Sequence, residues 1–148
     1  MARSRVKGKA PAAFVIDGSI ALSWFFADEA NENADLVAAA LAESTALVPA
    51  LFHLEIANAL VVGERRKRCT AEQSTTFLTL LAGLPIEIDS QTMTRAWSST
   101  IQLARAHELT AYHAAYLELA KRQTAPLATH DEKLIDAAKA TGVKLFKP

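Results

Sequence analysis

The sequence predicts a three-layer α/β/α sandwich around a mainly parallel central sheet. Three observations carry that expectation. Short apolar runs of strand length alternate with segments of helical periodicity, the pattern of a parallel sheet covered by helices. The first run, Phe14-Val15-Ile16, stops abruptly at Asp17-Gly18-Ser19, as a buried strand does on entering a turn. The 148 residues suit one domain burying roughly 70% of its unfolded surface, and no repeat or linker divides them.

Taken in order, residues 13–16 form the first strand and Ile20 to Phe26 a short helix. Asp28 to Glu43 follows as a helix with an acidic first turn, placing Leu36, Val37, Ala40 and Leu41 on one face. Ala46-Leu47-Val48 is a second strand, stopped by Pro49. Ala50 to Lys67 is apolar nearly all round, at Leu51, Leu54, Ile56, Ala57, Leu60 and Val61, which predicts a central helix. Thr70 and Gln73 have the spacing of a capping box for a helix reaching Ala82. Pro85 to Ile88 reads as an edge strand and Gln91 to His107 as a helix. Thr110 caps a helix over Ala111 to Arg122, Pro126 to Thr129 is strand-like, and Asp131 to Thr141 is helical, with Gly142 as its C-cap. Val143 to Phe146 closes the chain as a last strand.

Composition removes several classes. Apolar residues make up 51% and charged residues 22%, which excludes a disordered chain. Cys69 is the only cysteine, so an internal disulfide and a cysteine-based zinc site are excluded, and a reducing cytosol is expected. No apolar run reaches membrane-spanning length, and the basic N-terminus lacks the apolar segment of a secretory signal. A cytoplasmic protein with no membrane association is the expectation. Bases and acids balance at 16 each, yet Arg3, Arg5, Lys7 and Lys9 fall in the first twelve residues without an acid among them. Residues 1–11 therefore read as a basic, unstructured arm and residues 12–148 as the folded domain. The arm is either a phosphate-touching element or an inert leader.

Ligands bind such sheets outside the carboxyl ends of the strands. Asp17 ends the first strand, Asp131 follows the strand before it, and Glu55 sits early in the helix after the second strand. Three acids from three segments converge on one edge. Oxygen ligands without cysteine suit Mg²⁺ or Mn²⁺, and such a cluster can activate water and neutralise a phosphodiester. Each acid also has a plainer use: Asp17 and Asp131 as helix caps, Glu55 as the partner of an arginine. Other chemistries lack their motifs, with no G-x-S-x-G, Walker A or G-x-G-x-x-G sequence, and no D-x-D at Asp17-Gly18-Ser19.

Four segments occur in the order of PIN-domain proteins: Phe14-Val-Ile-Asp17-Gly-Ser19, Val48-Pro-Ala-Leu-Phe-His-Leu-Glu55-Ile-Ala-Asn58-Ala-Leu60, Leu109-Thr-Ala-Tyr-His113-Ala-Ala-Tyr-Leu-Glu-Leu-Ala120 and Leu127-Ala-Thr129-His-Asp131-Glu-Lys-Leu134. Across about residues 13–146 the chain resembles the VapC toxins of bacterial toxin–antitoxin modules. The resemblance implies a Mg²⁺- or Mn²⁺-dependent endoribonuclease that forms a homodimer and is inhibited by a VapB-like antitoxin. It assigns Asp17, Glu55 and Asp131 as catalytic and metal-binding acids, with Ser19, Asn58 and Thr129 supporting them. The departure is His113, where the family carries an aspartate. That leaves three carboxylates and an imidazole, a poor ligand for Mg²⁺ but a fair one for Mn²⁺. A protein that binds its antitoxin but no longer cleaves RNA is the competing expectation.

Arg65-Arg66-Lys67-Arg68, at the end of the helix carrying Glu55, is the strongest basic cluster and a candidate RNA contact. Favourable pairing of these cations with the helix C-terminus is its alternative role. Trp24 and Phe25 read either as core or interface aromatics or as a surface for a base or an antitoxin.

Overall fold

The computed structural model describes residues 11–147, so the basic arm, apart from Pro11, lies outside the described residues. Four strands form one sheet in the order β3-β2-β1-β4: β1 (Ala13–Ile16), β2 (Thr45–Val48), β3 (Ile86–Ile88) and β4 (Leu127–Ala128). Every pairing is parallel, with Val15 opposite Leu47 on one side and opposite Leu127 on the other. Phe14, Val15 and Ile16 are fully buried, as expected of a strand inside a covered parallel sheet. β3 is at the edge, as its sequence predicted.

The helices are α1 (Gly18–Ser23), α2 (Glu32–Ala40), α3 (Phe52–Arg65), α4 (Ala71–Ala82), α5 (Thr92–Arg95), α6 (Ile101–His107), α7 (Ala111–Gln123) and α8 (Glu132–Thr141). α1 packs on α2 and α3, while α7 packs on β1, β4, α6 and α8, so helices cover the sheet as in a three-layer α/β/α fold. Predicted caps are present. Thr70 and Gln73 form a reciprocal capping box on α4, Thr110 accepts from the His113 N–H, and Gly142 closes α8 at φ +77°.

Other expectations need correction. The helix predicted over 28–43 begins only at Glu32, because Asn31 accepts from the Asn33 N–H at 2.8 Å and is the stronger cap. Leu36 is 47% exposed rather than core, because the inward face runs through Ala34, Val37 and Leu41. The helix predicted over 91–107 is interrupted by a π-helical segment, Ala96–Thr100, where the Ser98 hydroxyl turns back onto the Arg95 carbonyl. α3 is not apolar all round in its contacts. Phe52, Ile56 and Leu60 are buried, but Leu54 is 74% exposed and Val61 42%. The last strand shrinks to one bridge, Leu127 with Leu145, since β4 offers only two residues before the chain turns toward Asp17.

One buried ionic network ties α7 to the end of β3. Arg122 donates to Asp89 at 2.7 Å and to Glu118 at 2.8 Å, all three side chains being at most 14% exposed. The guanidinium holds the Asp89 carboxyl below its ordinary range despite burial. Removing the cation would strand two buried carboxylates. Arg122→Met is expected to lower unfolding free energy by about 3–5 kcal/mol in urea titrations. Adding Asp89→Asn and Glu118→Gln should recover much of that loss, since the stranded charge is its cause.

Candidate active site

β1 lies between β2 and β4, and the chain reaches these neighbours in opposite directions. This reversal is where open α/β sheets form a crevice at their carboxyl edge. Asp17 stands there, one residue past β1, and its backbone N–H donates to the Ala128 carbonyl of β4 at 3.2 Å.

The Asp17 carboxylate is held from several directions. Oδ1 accepts from the Ser19 hydroxyl at 2.6 Å and from the Ile20 N–H at 3.2 Å, which caps α1. Oδ2 accepts from the Thr129 hydroxyl. Ser19 Oγ in turn accepts from the His130 N–H, and Thr129 Oγ1 from the Asp131 N–H. Asp17 is only 3% exposed. Burial outweighs all of these hydrogen bonds and the nearby His130, and raises its pKa.

Glu55, half-buried in the first turns of α3, is the second acid. Its Oε1 accepts from the Tyr116 hydroxyl at 2.9 Å. A Cβ placed on Gly18 would come within 3.0 Å of Oε2, so the carboxylate packs directly on the turn that follows Asp17. Burial raises the Glu55 pKa; Tyr116 and His113 oppose this, and the Asp17 charge adds to it. Burial and the Glu55 charge push the Tyr116 phenol up, so it remains a donor. His113, half-buried on α7, lies close enough to Glu55 for its charge to lower that pKa, while the histidine near Asp17 is His130.

Asp131 joins more loosely. Its Oδ1 accepts from the Leu134 N–H at 2.8 Å, the helix-capping role, and it connects to Asp17 through Thr129. Among the described residues, no group of three or more His, Cys, Asp and Glu side chains is arranged to hold a metal ion. The donor set present is the Asp17–Glu55 pair: two desolvated carboxylates that repel one another and take part in no salt bridge among the described residues. That fits a hydrated divalent cation, which needs only one or two carboxylates.

Of the supporting residues, Ser19 and Thr129 bond to Asp17. Asn58 is exposed one turn beyond Glu55 and lines a surface hollow with Arg66 and Glu29. Arg65, Arg66 and Lys67 are exposed. Arg68 differs from them in bonding Asp28 at 2.8 Å and Glu29 at 3.2 Å and in covering the Phe26 ring. Trp24 donates to the Ala34 carbonyl, Phe25 stacks on Phe77, and both line a cavity of about 1000 Å³ whose lining does not include Asp17, Glu55 or Asp131. Sequence reasoning missed Tyr116, although a tyrosine three residues after His113 on a buried helix face was its signal.

A parallel sheet with two acids at its switch point defines an α/β domain whose binding edge is acidic. The PIN-domain model matches residues 14–140, and the chain belongs to the PIN-domain family. PIN domains are typically metal-dependent nucleases. The crystal structure of PAE2754 from Pyrobaculum aerophilum is similar in fold, with a TM-score of 0.60 at 20% identity over 84% of this chain and 86% of that one. No curated protein matches the sequence. Among the described residues no helix is long and apolar enough to cross a membrane.

The raised Glu55 pKa sets a pH dependence. Between its ordinary value of 4.5 and the higher folded value, the folded chain binds more protons than the unfolded chain. Stability from this group is thus greatest below 4.5 and declines as pH rises through the folded value. Glu55→Gln keeps an acceptor for Tyr116 but cannot ionise. In chelator, it should melt above wild type at pH 7, and the gap should close as pH falls below 4.5. A gap independent of pH would contradict the desolvated state of Glu55.

Proposed function

We propose that this protein is a divalent-metal-dependent endoribonuclease toxin of a toxin–antitoxin pair, with activity weakened by His113. The observation that carries the reading is the Asp17–Glu55 pair, two mutually repelling carboxylates at the sheet's switch point in a PIN-family chain. Mg²⁺ or Mn²⁺, when bound, supplies charge neutralisation at a phosphodiester and a more acidic water. Asp17 and Glu55 would hold the cation, with Asp131 linked to Asp17 through Thr129. Ser19 and Thr129 fix the Asp17 carboxylate so that its charge stays at the crevice.

Partners follow from the same reading. Exposed Arg65, Arg66 and Lys67 at the end of α3 offer cations to RNA phosphates. Leu54 and Val61, exposed on α3, support a homodimer, and a VapB-like antitoxin is the inhibitor that the family resemblance implies. Sedimentation should show dimer at tens of micromolar, and monomer alone would count against it.

The second reading is a PIN fold that binds its antitoxin without cleaving RNA. It is favoured by His113 and by the lack of a three-donor group among the described residues. One substitution separates the two. His113→Asp restores an oxygen ligand and a negative charge facing the cation. At an effective dielectric of 20 and about 4 Å, one charge pair is worth on the order of 4 kcal/mol before solvation is subtracted. The variant should bind Mg²⁺ at least about tenfold more tightly, a difference of about 1.4 kcal/mol, and cleave RNA faster, as read by calorimetry and a quenched fluorescent RNA. Glu55→Ala in that background should erase the gain. Equal affinity and equal cleavage by wild type and His113→Asp would sink the assignment of His113 as a lesion.

A further inference from the structure

Tyr116 is the one tyrosine of the core, fully buried on α7 in a stretch, Ala114 to Ala120, whose other polar side chain, Glu118, is paired with Arg122. Phenylalanine would fill the same space without a polar atom to satisfy, so the hydroxyl needs a partner to offset its burial. That partner is Glu55 Oε1, 61 residues away in sequence and 2.9 Å away in space. The other oxygen, Oε2, lies where a Cβ on Gly18 would stand at 3.0 Å. One side of the carboxylate is therefore gripped by a donor from α7, and the other is seated on the turn after Asp17.

This grip answers a physical problem. Glu55 is half-buried on a flexible side chain, and the neighbouring Asp17 charge repels it. Left alone, the carboxylate would rotate toward solvent, where water stabilises its charge. Ser19 and Thr129 hydrogen-bond Asp17, and the side-chain hydrogen bond to Glu55 comes from Tyr116.

We propose that Tyr116 is a positioning residue that fixes the Glu55 carboxylate beside Asp17, keeping the two acids together as a preformed seat for a divalent cation. The seat rests on the functional reading above; the fixing of Glu55 does not. Tyr116 acts through Glu55 and needs no contact with RNA.

The test is Tyr116→Phe, which removes one oxygen and keeps the ring. Metal-free crystal structures of wild type and variant should show the Glu55 carboxylate withdrawn from Gly18 in the variant. Mn²⁺ affinity, read by electron paramagnetic resonance of free Mn²⁺, should fall about tenfold, as when a metal ligand loses its hydrogen-bond partner. Metal-free melting should stay close to wild type, separating positioning from general stability. Gly18→Ala attacks the same carboxylate from its other side and should also displace it and weaken Mn²⁺ binding. A Glu55 that stays in place with unchanged Mn²⁺ affinity in both variants would overturn the proposal and leave the nuclease reading intact. Wild-type protein that binds no Mn²⁺ would overturn the cation seat and the nuclease reading together, while a displaced Glu55 would still support its fixing by Tyr116.

Discussion

The burial of the Asp17 carboxylate at the end of β1 is the constraint on which the rest of the site depends. A helix cap contributes about 1 kcal/mol, and serine supplies one without charge. Desolvating a carboxylate costs several kcal/mol, so capping α1 does not by itself account for an aspartate that is 3% exposed. The surroundings are organised to carry that cost. β1 and β4 pair so that Thr129 arrives opposite Asp17, and Ser19 and Ile20 approach from α1. Thr129 and Ser19 also receive the backbone N–H groups of Asp131 and His130, so the β4–α8 turn is shaped by the same acid.

Two pairs of acids in this molecule are treated in opposite ways. Asp89 and Glu118 share Arg122 at hydrogen-bond distance, and the Asp89 carboxyl is driven below its ordinary range. Asp17 and Glu55 receive only neutral hydroxyl and amide donors as hydrogen-bond partners, with His113 and His130 acting at longer range, and both pKa values go up. The first pair is neutralised from within the chain and serves the fold. The second is offered no salt-bridging cation by the described residues, and that difference is what the proposed metal site rests on.

His113 sits on that balance. Facing Glu55 from α7, it adds a group able to carry positive charge where the resemblance implies a carboxylate. Its influence on the Glu55 pKa is opposite in sign to that of the Asp17 charge.

Local sequence determined the elements whose cause is local. Phe14-Val15-Ile16 is apolar without interruption and becomes a buried strand; Thr70, Thr110 and Gly142 cap helices through bonds spanning three to five residues. The approach of Asp17 and Glu55 was legible because a strand end and the first turns of the next helix bring side chains to one sheet edge, whereas His113 was singled out only through the family resemblance. Tertiary structure decided what depends on distant partners. The exposure of Leu54 on α3, the commitment of Arg68 to Asp28 and the single-bridge last strand follow from neighbours that no window of sequence contains. The grip of Tyr116 on Glu55 joins residues 61 apart, and that of Thr129 on Asp17 residues 112 apart. Periodicity reports which face of an element is apolar; only the packed chain fixes which oxygen receives which proton.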